Sequence, residues 1–223
     1  MPAALVSGSQ GSTTHSSVSS GTINTAAVPT AGNTLALHIN ERAGGPVTSI
    51  TDTQGNTWVP ASVAPQENSA RRAEIWVANN VAGAAATITV NYAGLTTALV
   101  SIEEWSGLAD DSTLIGDADG RANPTATNVH SANNVTSDSD GVILTAGVMS
   151  AIPSSITQAT GFTQLTSPSR TNNAYQLVAT GVTTDGAFGT GSNVSSSCAI
   201  VFLRAVGAPT SNNKKDNAFL AGG

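Results

Sequence analysis

ALVSIEEWSG, residues Ala98–Gly107, and CAIVFLRAVG, residues Cys198–Gly207, are the two runs on which the fold turns. Each is mostly apolar, is bounded by small polar residues and closes on glycine. A short apolar run of that kind reads as a central strand buried on both faces. The second run echoes the first about one hundred residues on, and the echo extends upstream.

Working back from these runs, five pieces match in the same order. Asn33–Ile39 matches Asp140–Ala146, and Ser49–Thr51 matches Ser155–Thr157. Gly55–Val59 matches Gly161–Leu165, Arg72–Ala78 matches Asn173–Ala179, and the two apolar runs close each series. The order predicts a duplicated β-unit, with length changes confined to loops. Thr34–Ile39, Arg72–Ala78 and Ala86–Tyr92 alternate in polarity as half-buried strands do, and Pro60 places Thr57–Val59 at an edge. Gly94 is expected to turn the chain between Ala86–Tyr92 and Thr97–Trp105. The predicted fold is all-β: an antiparallel, jelly-roll-like sandwich built from two pseudo-repeated halves, with two consecutive sandwiches as the alternative. The expected organisation is an N-terminal arm (1–20), a first β-unit (21–107), an acidic connecting loop (108–125), a second β-unit (126–207) and a C-terminal arm (208–223).

Composition agrees. Of the 223 residues, 39% are hydrophobic, enough for a core without disulfides or metals, while only 10% are charged. Small and β-branched residues suit strands and turns better than helices. The net charge of −6, with both lysines in the last ten residues, argues against nucleic-acid binding, which needs clustered cations. No segment is long and apolar enough for a membrane-spanning helix. The first residues, MPAALVSGSQGS, lack the basic start and apolar run of a secretion signal. A β-rich protein of extracellular composition without such a signal is expected in a virus particle, made in the cytosol and working outside it.

SITDTQGNTW, EIWVANNVAG, ATITVNY and VSIEEWSGL together resemble a β-sandwich unit of bacterial secreted proteins and of tailed-bacteriophage structural proteins. There a D-x-x-G-N-T-[YW] turn precedes a strand-borne aromatic and an E-[YW]-S-G-[LV] ending. The resemblance covers about residues 28–108. In the second half Gln164, Arg204 and Ala205 stand for Trp58, Glu104 and Trp105, and the motif is lost. The resemblance implies a sandwich with a binding or structural role and no reaction.

Candidate chemistry is sparse. Glu103 and Glu104 are strand neighbours on opposite faces, so they cannot act together as acid and base. Asp117–Gly120 and Asp138–Gly141 both read D-x-D-G, a spacing that calcium loops use and ordinary turns share. His15, His38 and His130 lack partners at zinc-ligand spacing, and the lone Cys198 lies in an apolar strand as a small hydrophobe. Asn134-Val135-Thr136 and Asn193-Val194-Ser195 are formal glycosylation sequons. No catalytic residue, cofactor or metal is expected. Trp58, Trp76 and Trp105, if exposed, would suit sugar stacking; core packing is their commoner use. The C-terminal stretch GAPTSNNKKDNAFLAGG buries too little of its own surface to order itself, so Lys214, Lys215, Phe219 and Leu220 are expected to dock on a partner. The functional expectation is a structural virion protein (capsid decoration, fibre or collar) that adheres to capsid or other virion proteins and to copies of itself as a homo-oligomer. The alternative is a carbohydrate-binding or adhesive module of a secreted protein.

Overall fold

The computed structural model describes residues 2–67, 70–165 and 169–207. The described residues form strands joined by turns, without a helix. In chain order the strands are β1 (Ala4–Leu5), β2 (Gly11–Asn24), β3 (Thr34–Ala43), β4 (Val47–Asp52), β5 (Val59–Val63), β6 (Arg72–Ala78) and β7 (Thr87–Ser106). They continue as β8 (Ile115–His130), β9 (Val135–Thr136), β10 (Gly141–Met149), β11 (Ile156–Gln158), β12 (Thr163–Gln164), β13 (Thr171–Val178), β14 (Thr183–Thr184) and β15 (Phe188–Arg204). All pairings are antiparallel.

Two sheets repeat one wiring diagram. The first runs β1-β7-β3-β6-β5, with β2 and β4 also on β7; the second runs β11-β15-β10-β13-β12, with β8 also on β15. Each strand of the first sheet from β2 onward thus has a counterpart: β2/β8, β3/β10, β4/β11, β5/β12, β6/β13 and β7/β15. The duplication read from the sequence is present in the topology, and no strand is shared between the two sheets.

Register refines the match. Leu35 pairs with Ala78 and Glu104, while Gly141 pairs with Val178 and Arg204. Leu35 is therefore equivalent to Gly141, and Ala78 to Val178, one residue away from the sequence alignment. A one-residue slip turns every side chain to the other face. Alternation could not report it, because β3 and β10 are buried on both faces along almost their whole length. Gly55 and Gly161 do occupy equivalent turns, both at positive φ. Beyond them Ala64 and Leu165 take the same place, donating to the Ala73 and Asn173 carbonyls. Gln164 is therefore not the counterpart of Trp58.

Three further expectations are corrected. The N-terminal arm is no arm from Gly11 on: β2 runs along β7 from the Gly11–Ile102 pair to the Asn24–Thr87 pair. The acidic connecting loop ends at Leu114, because Ile115–His130 is β8, paired along β15. Both segments consist mostly of small polar residues, with only His15 and Ile23 of β2 and His130 of β8 buried, so neither shows a run of alternating apolar residues; ladder bonds to β7 and β15 define them. Finally, Gly94 bends a single strand, β7, instead of separating two. The β3–β4 turn crosses that bend at Gly44, whose φ is 112° and whose missing side chain would strike the Leu95 carbonyl.

The two sheets face each other across a common core. Ala36, Ala73, Ile75, Val77 and Trp105 of the first unit meet Val142, Leu144, Ala146, Val148, Val201 and Leu203 of the second. Trp105 is fully buried and meets the Tyr175 ring edge-on at 5.1 Å between centroids. On its other face each sheet curls over a core of its own: Leu37, Ile39, Trp76, Ile88 and Val100 in the first unit, Ile143, Met149, Phe188, Ile200 and Phe202 in the second. Removing the Trp105 indole leaves a void where the units meet. Trp105→Ala is expected to cost about 3–5 kcal/mol of unfolding free energy. Chemical denaturation measures this, and a loss below about 1 kcal/mol would show that the indole does not join the units.

Candidate functional site

Polar side chains cluster at two places: inside the joint between the units, and along the seam where their free strand edges run together. Inside the joint, the Asn40 amide donates to Asn173 Oδ1 at 3.1 Å, and the Asn173 amide donates to Ser101 Oγ at 2.8 Å. Ser197 Oγ accepts from the Ala73 amide and donates to the Pro65 carbonyl at 3.0 Å. Beside them His38 Nε2 lies 2.6 Å from Glu103 Oε1, both side chains being fully buried. The bonds of Asn173 and Ser197 to the first unit fix how one sheet sits on the other, since each misplaced partner would leave a buried polar atom unpaired.

The seam is formed by β5 and β8, whose only strand partners among the described residues are β6 and β15 respectively. Ser62 Oγ donates to the Asp119 carbonyl at 2.6 Å. Gly120 lies so close to Ala64 that a side chain there would meet the Ala64 backbone. Two grooves open along the seam. One, of about 460 Å³, runs between Pro60–Pro65 and Ala118–Gly120. The other, of about 470 Å³, is lined by Val59, Asn79, Asp111, Ser112, Leu114 and Ile115. Asp111 in this lining is exposed, as is its chain neighbour Asp110.

The residues singled out in the sequence fall mostly into structural roles. Glu104 accepts from the Thr30 amide at 2.9 Å and from the Asn33 side chain at 2.5 Å, holding the turn that leads into β3. Arg204, its counterpart, grips the turn before β10 through both Asp138 oxygens, at 2.9 and 2.6 Å. That hydrogen-bonded guanidinium holds the Asp138 carboxyl below its ordinary range and occupies both of its oxygens. Asp117 and Asp119 accept from the Thr136 amide and from the Asn133 side chain. No cluster of metal-ligating side chains forms among the described residues.

Asp52 explains the motif of the resemblance. It accepts from the Gln54 and Asn56 amides, from the Asn56 side chain and from Trp58 Nε1, at 2.8–3.1 Å. Burial alone would raise this carboxyl, but the four bonds together draw it below its ordinary range. The motif is a turn device. His15 shares a 2.7 Å hydrogen bond with Tyr92 Oη, and His130 bonds Ser196 and Thr190. Burial lowers both imidazoles and pushes the Cys198 thiol up to about 12. Trp58, Trp76 and Trp105 are 8%, 9% and 0% exposed, so none offers a stacking face to a sugar. Lys214, Lys215, Phe219 and Leu220 lie outside the described residues.

One pair went unread in the sequence. Glu41 and Glu74 sit together within the first unit, each 1% exposed. Trp76 Nε1 donates to Glu74 at 2.7 Å, and the Val47 amide donates to it at 3.4 Å. Burial, reinforced by the Glu74 charge, pushes Glu41 up to about 9, and burial raises Glu74 as well. The available signal was the Glu74–Trp76 spacing, which places a carboxylate on the same strand face as a core aromatic.

Comparison with protein-family models, curated proteins and solved structures yields no match to this chain.

The two kinds of carboxylate give opposite pH slopes. Glu41, raised in the fold, stabilises fully below its unfolded value near 4.5, and that contribution is lost as pH climbs towards 9. Glu41→Gln should therefore leave stability near pH 4 almost unchanged and raise it by about 1–3 kcal/mol at pH 9. Asp52, lowered in the fold, stabilises above its unfolded value near 3.8 and loses this as pH falls below. Asp52→Ala should cost about 1–3 kcal/mol at pH 7 and progressively less in acid. Denaturant midpoints across pH decide both; parallel wild-type and variant curves would refute the assignments.

Proposed function

We propose that this protein is a structural component of a tailed-bacteriophage particle, of the capsid-decoration, fibre or collar type, acting by adhesion to capsid or other virion proteins and to copies of itself. The observation that carries the reading is the outer edge of β2. Over Gly11–Asn24 this strand holds no proline and no Asp, Glu, Lys or Arg, although among the described residues its only strand partner is β7. Edge strands are ordinarily guarded by such residues, because unpaired backbone groups recruit foreign strands. The guard here is limited to the bulges between His15 and Ser20. Apolar exposure supports the same reading: Val59 and Val63 on edge strand β5 are 39% and 46% exposed. Short uncharged side chains let main chains of neighbouring copies approach closely, and many weak contacts in an array gain strength through multivalency.

The test is assembly. The purified protein should sediment as a homo-oligomer and bind tailed-phage capsids. Ser12→Lys with Thr14→Lys, both on the exposed side of β2, should weaken self-association at least about tenfold, with the melting temperature held within about 2 °C. A strictly monomeric protein that never co-sediments with capsids would refute the proposal.

A further inference from the structure

Opposite charges gather at opposite ends of the joint. β3 runs from one end to the other along β7, from the Thr34–Trp105 pair to the Ala43–Thr97 pair. At the Ala43 end, the register that pairs Glu41 with Arg72 sets Arg42 opposite Arg71. Arg170 reaches the same place from the second unit, immediately before β13. Its carbonyl accepts from the Met149 amide at 2.9 Å, and its guanidinium donates to the Ser150 carbonyl at 3.2 Å. Burial, and then the charges of Arg170 and Arg71, lower the Arg42 guanidinium below its ordinary range. Glu67 offsets Arg71 through a 2.6 Å ion pair. Arg42 and Arg170, one from each unit, form no ion pair among the described residues. Ile152, which lines a groove with Arg170, is 62% exposed.

The Trp105 end carries the converse. The Ala109 amide donates to the Arg204 carbonyl, and the Ala205 amide donates to the Asp140 carbonyl, both at 2.9 Å. These bonds gather Asp110, Asp111 and Asp140 around residue 205, all three exposed. Arg204, the cation beside them, is engaged by Asp138. The neighbouring Val206 is 46% exposed.

We propose that the arginine end of one copy receives the aspartate end of the next, with Arg42 and Arg170 meeting Asp110, Asp111 and Asp140, so that copies add in one direction. The inference rests on the reading that copies of this chain adhere to one another, and it supplies the direction of that contact. Charge complementarity selects the occupant. Two arginine ends, or two aspartate ends, would oppose like charges, so a two-fold contact through either end is disfavoured. A contact between unlike patches is heterologous and leaves a free patch at each end of the pair, ready for further copies. Ile152 and Val206 add apolar burial to the charge pairing. Exposed ion pairs are individually weak, so this contact is sensitive to salt and gains strength when repeated along an array.

Sedimentation of full-length variants decides it. Every variant carries Ser12→Lys with Thr14→Lys, which silences the β2 edge, so that the remaining association reports the two ends. Arg42→Glu with Arg170→Glu, or Asp110→Lys with Asp111→Lys, should each weaken that association at least about tenfold at low salt, and about 0.5 M salt should remove it in the parent. The milder Arg42→Gln with Arg170→Gln should give an intermediate loss. Mixing the two charge-reversed proteins should restore binding as one-to-one pairs that grow no further, because only one compatible contact remains between them. Recovery in the mixture also verifies that both variants are folded. Association that ignores these substitutions, a mixture that does not recover, or a parent left monomeric while the protein with an intact β2 still associates would each overturn the inference and leave the adhesion reading standing. A protein with an intact β2 that is monomeric at every concentration would overturn both.

Discussion

The face-to-face contact of two four-strand platforms, β7-β3-β6-β5 and β15-β10-β13-β12, is the constraint on which the rest of this molecule depends. Each unit closes a core on its outer side, but the sheet faces bearing Ala36, Ile75 and Val77, or Val142, Leu144 and Val201, are apolar and need the other unit to cover them. Apolar burial drives the contact without direction. Direction comes from the Asn40–Asn173–Ser101 bonds and from Ser197, which spans to Ala73 and Pro65. Trp105 packs edge-on against Tyr175 across the same contact. Both units therefore need one another, and the boundary between them is a core and not a linker.

Equivalent positions in the two units hold equivalent turns by opposite chemistry. Glu104 accepts bonds from the turn before β3, whereas Arg204 donates to the turn before β10. The requirement is a buried polar side chain at the last inward position of the central strand, reaching back over the neighbouring turn. Its sign is free, provided that the turn supplies the complement: Asn33 and the Thr30 amide in one case, Asp138 in the other. Loss of the E-W-S-G ending in the second half therefore leaves the clip intact. Sequence motifs overstate the difference between the units, because a charge-inverted pair shares geometry and shares no letters.

The sequence made the all-β class, the duplication and the central position of β7 and β15 legible, because apolar runs and turn residues recur in one order. What it hid has a physical reason in each case. The one-residue register error in β3/β10 arose where both strand faces are buried and alternation carries no information. β2 and β8 were legible only in part, because most of their residues are small, polar and not buried, so their composition resembles that of loops. They are in fact the same element in the two units. The roles of Glu103 and Glu104 as held, structural carboxylates were foreseeable from strand geometry. The Glu41–Glu74 pair required knowledge of which residues lie diagonally across β3 and β6, which is a property of pairing and not of local pattern. The seam grooves likewise come from two strand edges far apart in the chain.

Ala4 pairs with Ser106 at the end of β7, and Leu108 forms a bridge to Ala205 just before Gly207. The two extremities of the described fold therefore emerge at a single pole, while the bend of β7 around Leu95 marks the opposite one. This gives the protein a polarity. Both extremities of the described fold thus share one end of the molecule, and the β7 bend lies at the other, as the base and head of a stud do.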